Sequence, residues 1–131
     1  MIVGLGMDVV DVARLERLIG GRVPTARARR FLERCFTARE QAYCDARKDR
    51  TNRYAARFAA KEAVVKALGA PKGVRWTDIE VCREEGAPTV KLGGAADRAA
   101  RDLAVEAIHL TLTHDGGIAA AAVVLEARRH R

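Results

Sequence analysis

The sequence predicts an α+β fold, with helices gathered in the first half of the chain and most strands in the second. Residues 12–68 show apolar side chains at helical spacing, with helix-capping residues between the segments. Residues 77–126 contain short runs rich in Val, Ile and Thr, separated by Gly-containing turns. This segregation favours an antiparallel sheet packed on helices. A chain of 131 residues suffices for a single domain, which we predict to span residues 1–131.

The first segment, residues 2–10, is apolar nearly throughout and predicts a strand buried on both faces. With a period of two, Gly4, Gly6 and Asp8 share one face of this strand. The two glycines leave room for a ligand or another backbone to approach closely. An ionised Asp8 in such a strand is costly without a partner, and Asp11 is the better N-cap for the helix that follows. Asp8 is therefore left without a structural role, which favours a functional one.

Three helices are predicted before the longest one. The first, at residues 12–19, ends at a Gly-Gly pair, and the second, at residues 26–35, is rich in Arg. Thr37 and Glu40 have the spacing of a capping box. They predict a third helix that runs towards residue 46.

A long central helix is predicted at residues 52–68, ended by Gly69. Polar side chains sit among its apolar ones. Glu62 and Lys66 lie four positions apart and share a face. One interpretation is a surface ion pair worth only about 0.3–0.5 kcal/mol. The other is a carboxylate that holds a cation beside lysines that hold an anion, and the helix alone does not decide between the two.

The rest of the chain is predicted as two hairpins with a helix between them. The segments are strands at 77–83 and 88–92 around a turn at 84–87, a helix at 95–105, strands at 108–114 and 118–126 around a turn at 115–117, and a basic tail at 127–131. The strict alternation at 108–114 places His109, Thr111 and Thr113 on one face. The alanines of the final strand predict close packing.

Cysteine usage and hydropathy limit the class of protein. Cys35, Cys44 and Cys82 are odd in number and form no C-x-x-C pair, so we expect small buried side chains rather than disulfides or a thiolate metal site. No apolar run approaches the ~20 residues that span a bilayer. The N-terminus lacks the basic leader and long apolar region of a signal peptide. We therefore expect a cytoplasmic protein with no membrane partner.

The net charge of +7 is concentrated in one part of the chain. Residues 12–57 contain 13 Lys and Arg residues against 5 Asp and Glu residues, so the remainder is nearly neutral. One basic surface of this kind suits nucleic acid, an acidic protein or a polyphosphate ligand. Aromatic residues make up only 5% of the chain and predict no stacking platform for nucleic acid.

Three segments stand out together: GMDVVDVAR at residues 6–14, RFAAKEAVVKALG at residues 57–69 and LTH at residues 112–114. Together they resemble the 4′-phosphopantetheinyl transferases, and the length of the chain and the early Asp8 resemble their short, single-domain type, the holo-acyl-carrier-protein synthases. Similar segments at residues 36–40, 76–81 and 86–88 extend the resemblance over the whole chain. It implies a 4′-phosphopantetheinyl transferase-like fold.

The resemblance implies an enzyme that moves the 4′-phosphopantetheine arm of coenzyme A to a serine of an acyl carrier protein of fatty acid or polyketide biosynthesis, releasing adenosine 3′,5′-bisphosphate. Asp8 and Glu62 would hold Mg²⁺, a hard ion that two carboxylates, water and substrate phosphates can satisfy. Lys66 would stabilise charge on the same pyrophosphate. The serine proton would go to Glu62 or to a water on the ion; the water is favoured because Glu62 is already a ligand.

The resemblance also assigns binding residues. Candidates for coenzyme A are Arg53, Arg57, Lys61, Lys66, Pro88, Thr113 and His114, with His114 reaching the nucleotide and its 3′-phosphate. The acidic carrier protein would dock on the first helix and the basic residues after it, namely Arg14, Arg17, Arg22 and Arg27. A homotrimer with coenzyme A between subunits follows from the resemblance alone.

The sequence departs from the family pattern at two places. Thr113 stands where the family commonly has Ser, and it keeps the hydroxyl group. The turn at residues 115–117 is less usual. The alternative function is a basic nucleic-acid-binding domain, which would leave Asp8 and Glu62 without a purpose.

Overall fold

The computed structural model describes residues 1–21, 23–83 and 86–128. Within these ranges the elements are β1 (Ile2–Asp11), α1 (Val12–Ile19), α2 (Ala26–Cys35), α3 (Ala38–Asp45), α4 (Arg50–Ala67), β2 (Ile79–Cys82), β3 (Thr89–Leu92), α5 (Gly94–Asp102), β4 (Val105–Asp115) and β5 (Ile118–Ala127). A 3₁₀ turn at Trp76–Asp78 precedes β2. The predicted α+β class is confirmed. Glu84 and Glu85 of the predicted turn, and residues 129–131 of the predicted tail, lie outside the described residues.

The strands form two antiparallel sheets, one in the order β1-β5-β4 and the other a β2-β3 hairpin. In the larger sheet β5 is central, and α4 lies across β1 and β5. The inward-facing Ala119 and Ala121 of β5 are buried, and their small side chains let the helix approach. They pair with His114 of β4 and Asp8 of β1 respectively. The strands β1 and β4, which carry the predicted site residues Asp8 and His114, therefore pair with the same short stretch of β5.

The prediction that β1 is buried on both faces is wrong. β1 is an edge strand, and Leu5, Met7 and Val9 on its outer face are 71%, 62% and 55% exposed. The inner face is the one that packs on α4: a Cβ at Gly6 would overlap the carbonyl oxygen of Ala63. The sequence allowed either a ligand or another backbone to approach these glycines, and the structure shows the backbone of α4 there. The apolar side chains of β1 led us to predict that both faces are buried. One of these faces is instead exposed in the described part of the chain, and the sequence pattern does not distinguish the two cases.

The predicted helix ends agree with the structure to within a few residues. The Asp11 side chain accepts a hydrogen bond from the Ala13 backbone N–H at 3.1 Å and caps α1. The capping box of α3 is formed by Thr37 and Glu40. α5 ends three residues earlier than predicted, because Ala104 adopts a left-handed conformation with φ of 57° and the chain then enters β4.

A buried ion pair joins α4 to α3 and β2. The Nζ atom of Lys61 lies 2.7 Å from Oε1 of Glu40, and both side chains have no exposed surface. The ammonium also donates to the carbonyl oxygens of Trp76 (2.9 Å) and Ile79, and Oε2 of Glu40 accepts from the Val81 backbone N–H at 3.0 Å. Burial lowers the pKa of Lys61, and the Glu40 carboxylate opposes that change. The pair satisfies its own polar atoms, as a buried pair must.

The three cysteines are free thiols. Cys35 and Cys44 are buried and Cys82 is half-buried. Burial raises the pKa of Cys44 to about 12, so this thiol is not reactive at neutral pH. No described helix is both long enough and apolar enough to cross a membrane.

Candidate active site

Asp8, Glu62 and Lys66 come together where the inner face of β1 crosses α4. The Nζ atom of Lys66 donates to Oδ1 of Asp8 and to the carbonyl oxygen of Met7, each at 3.1 Å. The Asp8 side chain is 13% exposed and the Lys66 side chain 55% exposed. Within the described residues Lys66 therefore pairs with Asp8 of β1 rather than with Glu62, its neighbour one turn away. The simple helix-surface ion pair that the sequence allowed is not the pair that forms.

Glu62 lies beside Asp8, and both carboxylates line the same cavity. Burial raises the pKa of Glu62, and the negative charge of the nearby Asp8 raises it further. Lys66 and Arg14 oppose this rise. A cation placed between two close carboxylates removes their repulsion, and oxygen donors of this kind suit a hard divalent ion.

The donor set available to a metal is small. The described residues contain no group of three or more His, Cys, Asp and Glu side chains that could hold a metal ion. Two carboxylates would leave most positions of an octahedral ion to water and to phosphate oxygens. The residues present thus fit magnesium bound together with a phosphorylated substrate.

A cavity of about 300 Å³ opens beside this acidic pair. Its polar wall includes Asp8, Asp11, Arg14 and Glu62. Its apolar wall is formed by side chains of α1, α2 and α4, namely Leu15, Leu18, Phe31 and Phe58. Arg14 is exposed and lines the same cavity, so a cation lies in the wall that also carries the carboxylates.

A second cavity, of about 240 Å³, is lined by basic residues. Its lining is Arg53, Ala56, Arg57, Arg83, Leu112, Thr113 and His114. Arg57 is 1% exposed, and its Nε and Nη2 atoms have no hydrogen-bond partner among residues 1–21, 23–83 and 86–128. Its guanidinium stacks over the Tyr43 ring, with Cζ 4.1 Å from the ring centroid. A buried cation with unpaired N–H groups is costly unless an anion accepts from it.

The structure brings four of the seven residues predicted for coenzyme A into this basic cavity and leaves three elsewhere, namely Lys61, Lys66 and Pro88. Arg53, Arg57, Thr113 and His114 line it; Arg53 is also paired with Asp49 at 3.1 Å. Pro88 lies just before β3 and does not line it.

Lys61 is enclosed in the core by its pair with Glu40. This geometry contradicts the prediction that Lys61 contacts a phosphate, because its ammonium already has three protein acceptors and no open side.

Arg83 also lines the basic cavity, although the sequence did not single it out. It follows β2 directly, and a basic residue at a strand end beside a hairpin turn was its only local signal. Of the residues predicted for carrier docking, Arg14 and Arg17 on α1 and Arg27 on α2 are exposed. Arg22 lies outside the described residues.

Comparison with known proteins identifies the family. A model of the 4′-phosphopantetheinyl transferase superfamily matches residues 4–122. The chain belongs to this superfamily. Among curated members, the holo-acyl-carrier-protein synthase of Anaeromyxobacter sp. (strain Fw109-5) is 64% identical over 131 residues, covering 100% of both chains. That of Myxococcus xanthus (strain DK1622) is 49% identical over 125 residues, covering 95% of each.

Solved structures from the superfamily have the same fold. The Helicobacter pylori holo-acyl-carrier-protein synthase in complex with coenzyme A has a TM-score of 0.77 at 29% identity, covering 93% of this chain and 99% of that one. The Bacillus anthracis synthase in complex with CoA (3′,5′-ADP) has a TM-score of 0.76 at 32% identity, covering 98% and 99%. The predicted phosphopantetheinyl transferase-like fold is confirmed, and membership of a transferase superfamily decides against the nucleic-acid-binding alternative.

Proposed function

We propose that this chain transfers the 4′-phosphopantetheine arm of coenzyme A to a serine of an apo acyl carrier protein, producing the holo form and adenosine 3′,5′-bisphosphate. The observation that carries the proposal is the meeting of Asp8, Glu62 and Lys66 at the contact of β1 with α4. Relatives at 64% identity are named for this reaction, and a related synthase has been solved with coenzyme A bound.

The direct test is mass spectrometry of an apo acyl carrier protein after incubation with this chain, coenzyme A and Mg²⁺. We expect the carrier to gain the mass of one phosphopantetheine arm. The matched control is a carrier in which the acceptor serine is replaced by alanine, which should gain nothing. An unchanged mass for a carrier that another synthase modifies would refute the proposal.

The reaction proposed here depends on magnesium, which Asp8 and Glu62 would hold. Bound there, the ion supplies Lewis-acid polarisation of the phosphoryl group and offsets charge on the leaving group. The serine oxygen forms a bond to the phosphorus that carries the pantetheine arm, and the bond from that phosphorus to the oxygen of adenosine 3′,5′-bisphosphate breaks. Lys66 is placed to stabilise the negative charge that this cleavage leaves on phosphate oxygens.

The basic cavity would bind the nucleotide end of coenzyme A. The unpaired Nε and Nη2 groups of Arg57 are donors with no acceptor in the described protein, and phosphate oxygens match a guanidinium well. Thr113 and His114, exposed at the end of β4, are additional donors at the mouth. We assign the 3′-phosphate to Arg57 and His114.

His114→Ala should raise the KM for coenzyme A roughly tenfold, the effect of losing one hydrogen bond to a charged group. The KM for dephospho-coenzyme A, which lacks the 3′-phosphate, should stay the same. Steady-state kinetics with both donors measure the difference, and Arg101→Ala, an exposed substitution in α5, is the control. An equal rise in KM for both donors would show that His114 does not bind the 3′-phosphate.

The exposed arginines of α1 and α2 would receive the acidic carrier protein. Arg14 lines the cavity that contains Asp8 and Glu62, so a carrier docked there presents its serine to the acidic pair. Arg17 on α1 and Arg27 on α2 are also exposed and would extend the positive surface. Opposite surface charges mainly speed and orient such an encounter.

Arg17→Glu should raise the KM for the carrier protein by roughly tenfold and leave the KM for coenzyme A unchanged. Raising the ionic strength should reduce the difference between this variant and the parent, because salt screens exposed charges. Arg101→Glu makes the same charge change on α5 and should have little effect. Identical salt dependence of the two KM values would count against docking by charge.

The outer face of the larger sheet would join copies of this chain into a homotrimer with coenzyme A between subunits. Leu5, Met7 and Val9 make an exposed apolar stripe, the kind of surface that marks an interface. Among the described residues, the cavity beside Asp8 and Glu62 and the basic cavity share no lining residue, as expected if one coenzyme A molecule uses them on different subunits. Sedimentation equilibrium should give the mass of three chains, and Leu5→Lys should lower it. A monomeric parent protein would overturn this assignment.

A further inference from the structure

Lys66 lies in the position beside Asp8 where a cation would bind. Its ammonium is held to β1 by two hydrogen bonds of 3.1 Å, one to Oδ1 of Asp8 and one to the carbonyl oxygen of Met7. It is therefore folded back onto the strand rather than extended into solvent, although the side chain is 55% exposed. Because only 13% of the Asp8 side chain is exposed, little of that carboxylate remains open to a second cation.

The charges around this contact come from three elements. β1 contributes Asp8 and α4 contributes Glu62 and Lys66, while Arg14 of α1 lines the same cavity. A divalent ion that binds Asp8 and Glu62 would share one carboxylate with an ammonium at 3.1 Å, and the two cations would repel each other at short range. The metal and the ammonium of Lys66 therefore compete for the carboxylate of Asp8.

We propose that Lys66 is a displaceable counterion, which competes with the metal for Asp8 in the free protein and moves to the pyrophosphate when coenzyme A binds. The inference rests on the proposed function, since it assigns the metal to Asp8 and Glu62. An exposed lysine pair is weak, so the ammonium leaves Asp8 at low cost. The flexible four-carbon stem of lysine permits such a movement without a change in α4.

The displacement links the two ligands. A coenzyme A phosphate that draws Lys66 away from Asp8 opens that carboxylate to the metal, and a metal that expels Lys66 frees the ammonium for phosphate. Each ligand then tightens the binding of the other by the same factor, as reciprocity of linked equilibria requires. Lys66 thus favours simultaneous occupation by metal and coenzyme A over either ligand alone.

Binding of Mn²⁺ to the free protein, without coenzyme A or carrier, tests the competition. Titrations followed by the electron paramagnetic resonance signal of free Mn²⁺ give the Kd. Lys66→Met, which keeps the length and removes the charge, should bind Mn²⁺ about threefold to tenfold more tightly than the parent. Lys66→Arg should bind it like the parent, and Lys72→Met, an exposed substitution beyond the end of α4, should change nothing.

Coupling is measured by repeating the titration with saturating coenzyme A. The factor by which coenzyme A tightens Mn²⁺ binding should be smaller in Lys66→Met than in the parent. If Lys66→Met binds Mn²⁺ no more tightly than the parent, the counterion role is wrong, while the proposed transfer still stands or falls by the carrier mass assay. If Asp8→Asn binds Mn²⁺ as well as the parent, the metal assignment itself is wrong and the inference fails with it.

Discussion

Replacing Asp8 by Asn should lower kcat/KM for the transfer by about 10³-fold or more, and Glu62→Gln should do the same. Each change removes a carboxylate from the pair that would hold magnesium, and metal stabilisation of a phosphoryl transition state is worth several kcal/mol. The fold should survive, because the ion-pair partner of Asp8 is the exposed Lys66, and exposed pairs contribute little to stability. Initial rates and thermal unfolding curves of the same preparations provide the two measurements.

Asp11 supplies the matched control for Asp8. It is an acidic residue three positions further along, at the end of β1, where its carboxylate caps α1. Asn is an equally good N-cap, so Asp11→Asn should keep stability, and because it leaves both Asp8 and Glu62 in place it should lose far less activity than Asp8→Asn. Removal of divalent ions with EDTA should abolish the parent activity, and added Mg²⁺ should restore it. Near-normal activity of Asp8→Asn or Glu62→Gln would exclude the metal assignment.

Lys61→Met should reduce the free energy of unfolding by about 3–5 kcal/mol, because it leaves the Glu40 carboxylate buried without its counterion. For a chain of this length that corresponds to a fall in Tm of about 10–20 °C. Urea unfolding monitored by circular dichroism gives the free energy. Lys72→Met, an exposed lysine changed to the same residue, should leave stability unchanged.

The double variant Lys61→Met with Glu40→Gln separates the cost of the unpaired charge from the loss of packing. Gln keeps most of the volume of Glu and carries no charge, so the double variant should be more stable than Lys61→Met alone. A purely ligand-binding Lys61 predicts the opposite pattern: a raised KM for coenzyme A with normal stability. That outcome would show that Lys61 binds coenzyme A and that its pair with Glu40 does not stabilise the core.

The helix caps and strand faces were predictable because they depend on neighbours in sequence. Thr37 was identified as a cap from Glu40 three positions away, and Asp11 from the helical spacing of residues 12–19 directly after it, and both cap helices in the structure. The period of two placed Gly6 and Asp8 on one face of β1, and the structure shows that face against α4. Local backbone geometry decides all of these features.

The basic cavity was only partly predictable. Arg57 and His114 were selected by resemblance, but nothing local indicated that Arg57 would be buried with unpaired donors. Arg83 was missed because its proximity to His114 arises from the placement of the β2-β3 hairpin beside β4. Contacts between residues distant in sequence depend on how elements pack, which a single sequence does not specify.

Lys61 and Lys66 show the division between sequence and tertiary structure most clearly. By itself the sequence determined that both lysines lie on one helix with Glu62, that Asp8 needs a partner, and that the chain resembles a phosphopantetheinyl transferase. Five residues apart, the two lysines point to sides of α4 that differ by about 140°. Packing alone decided that Lys61 faces Glu40 in the core while Lys66 faces Asp8 at the surface. The physical reason is that the type of each side chain and its spacing along a helix can be read from the sequence. The rotation of that helix against its sheet, by contrast, is set by all the contacts along it.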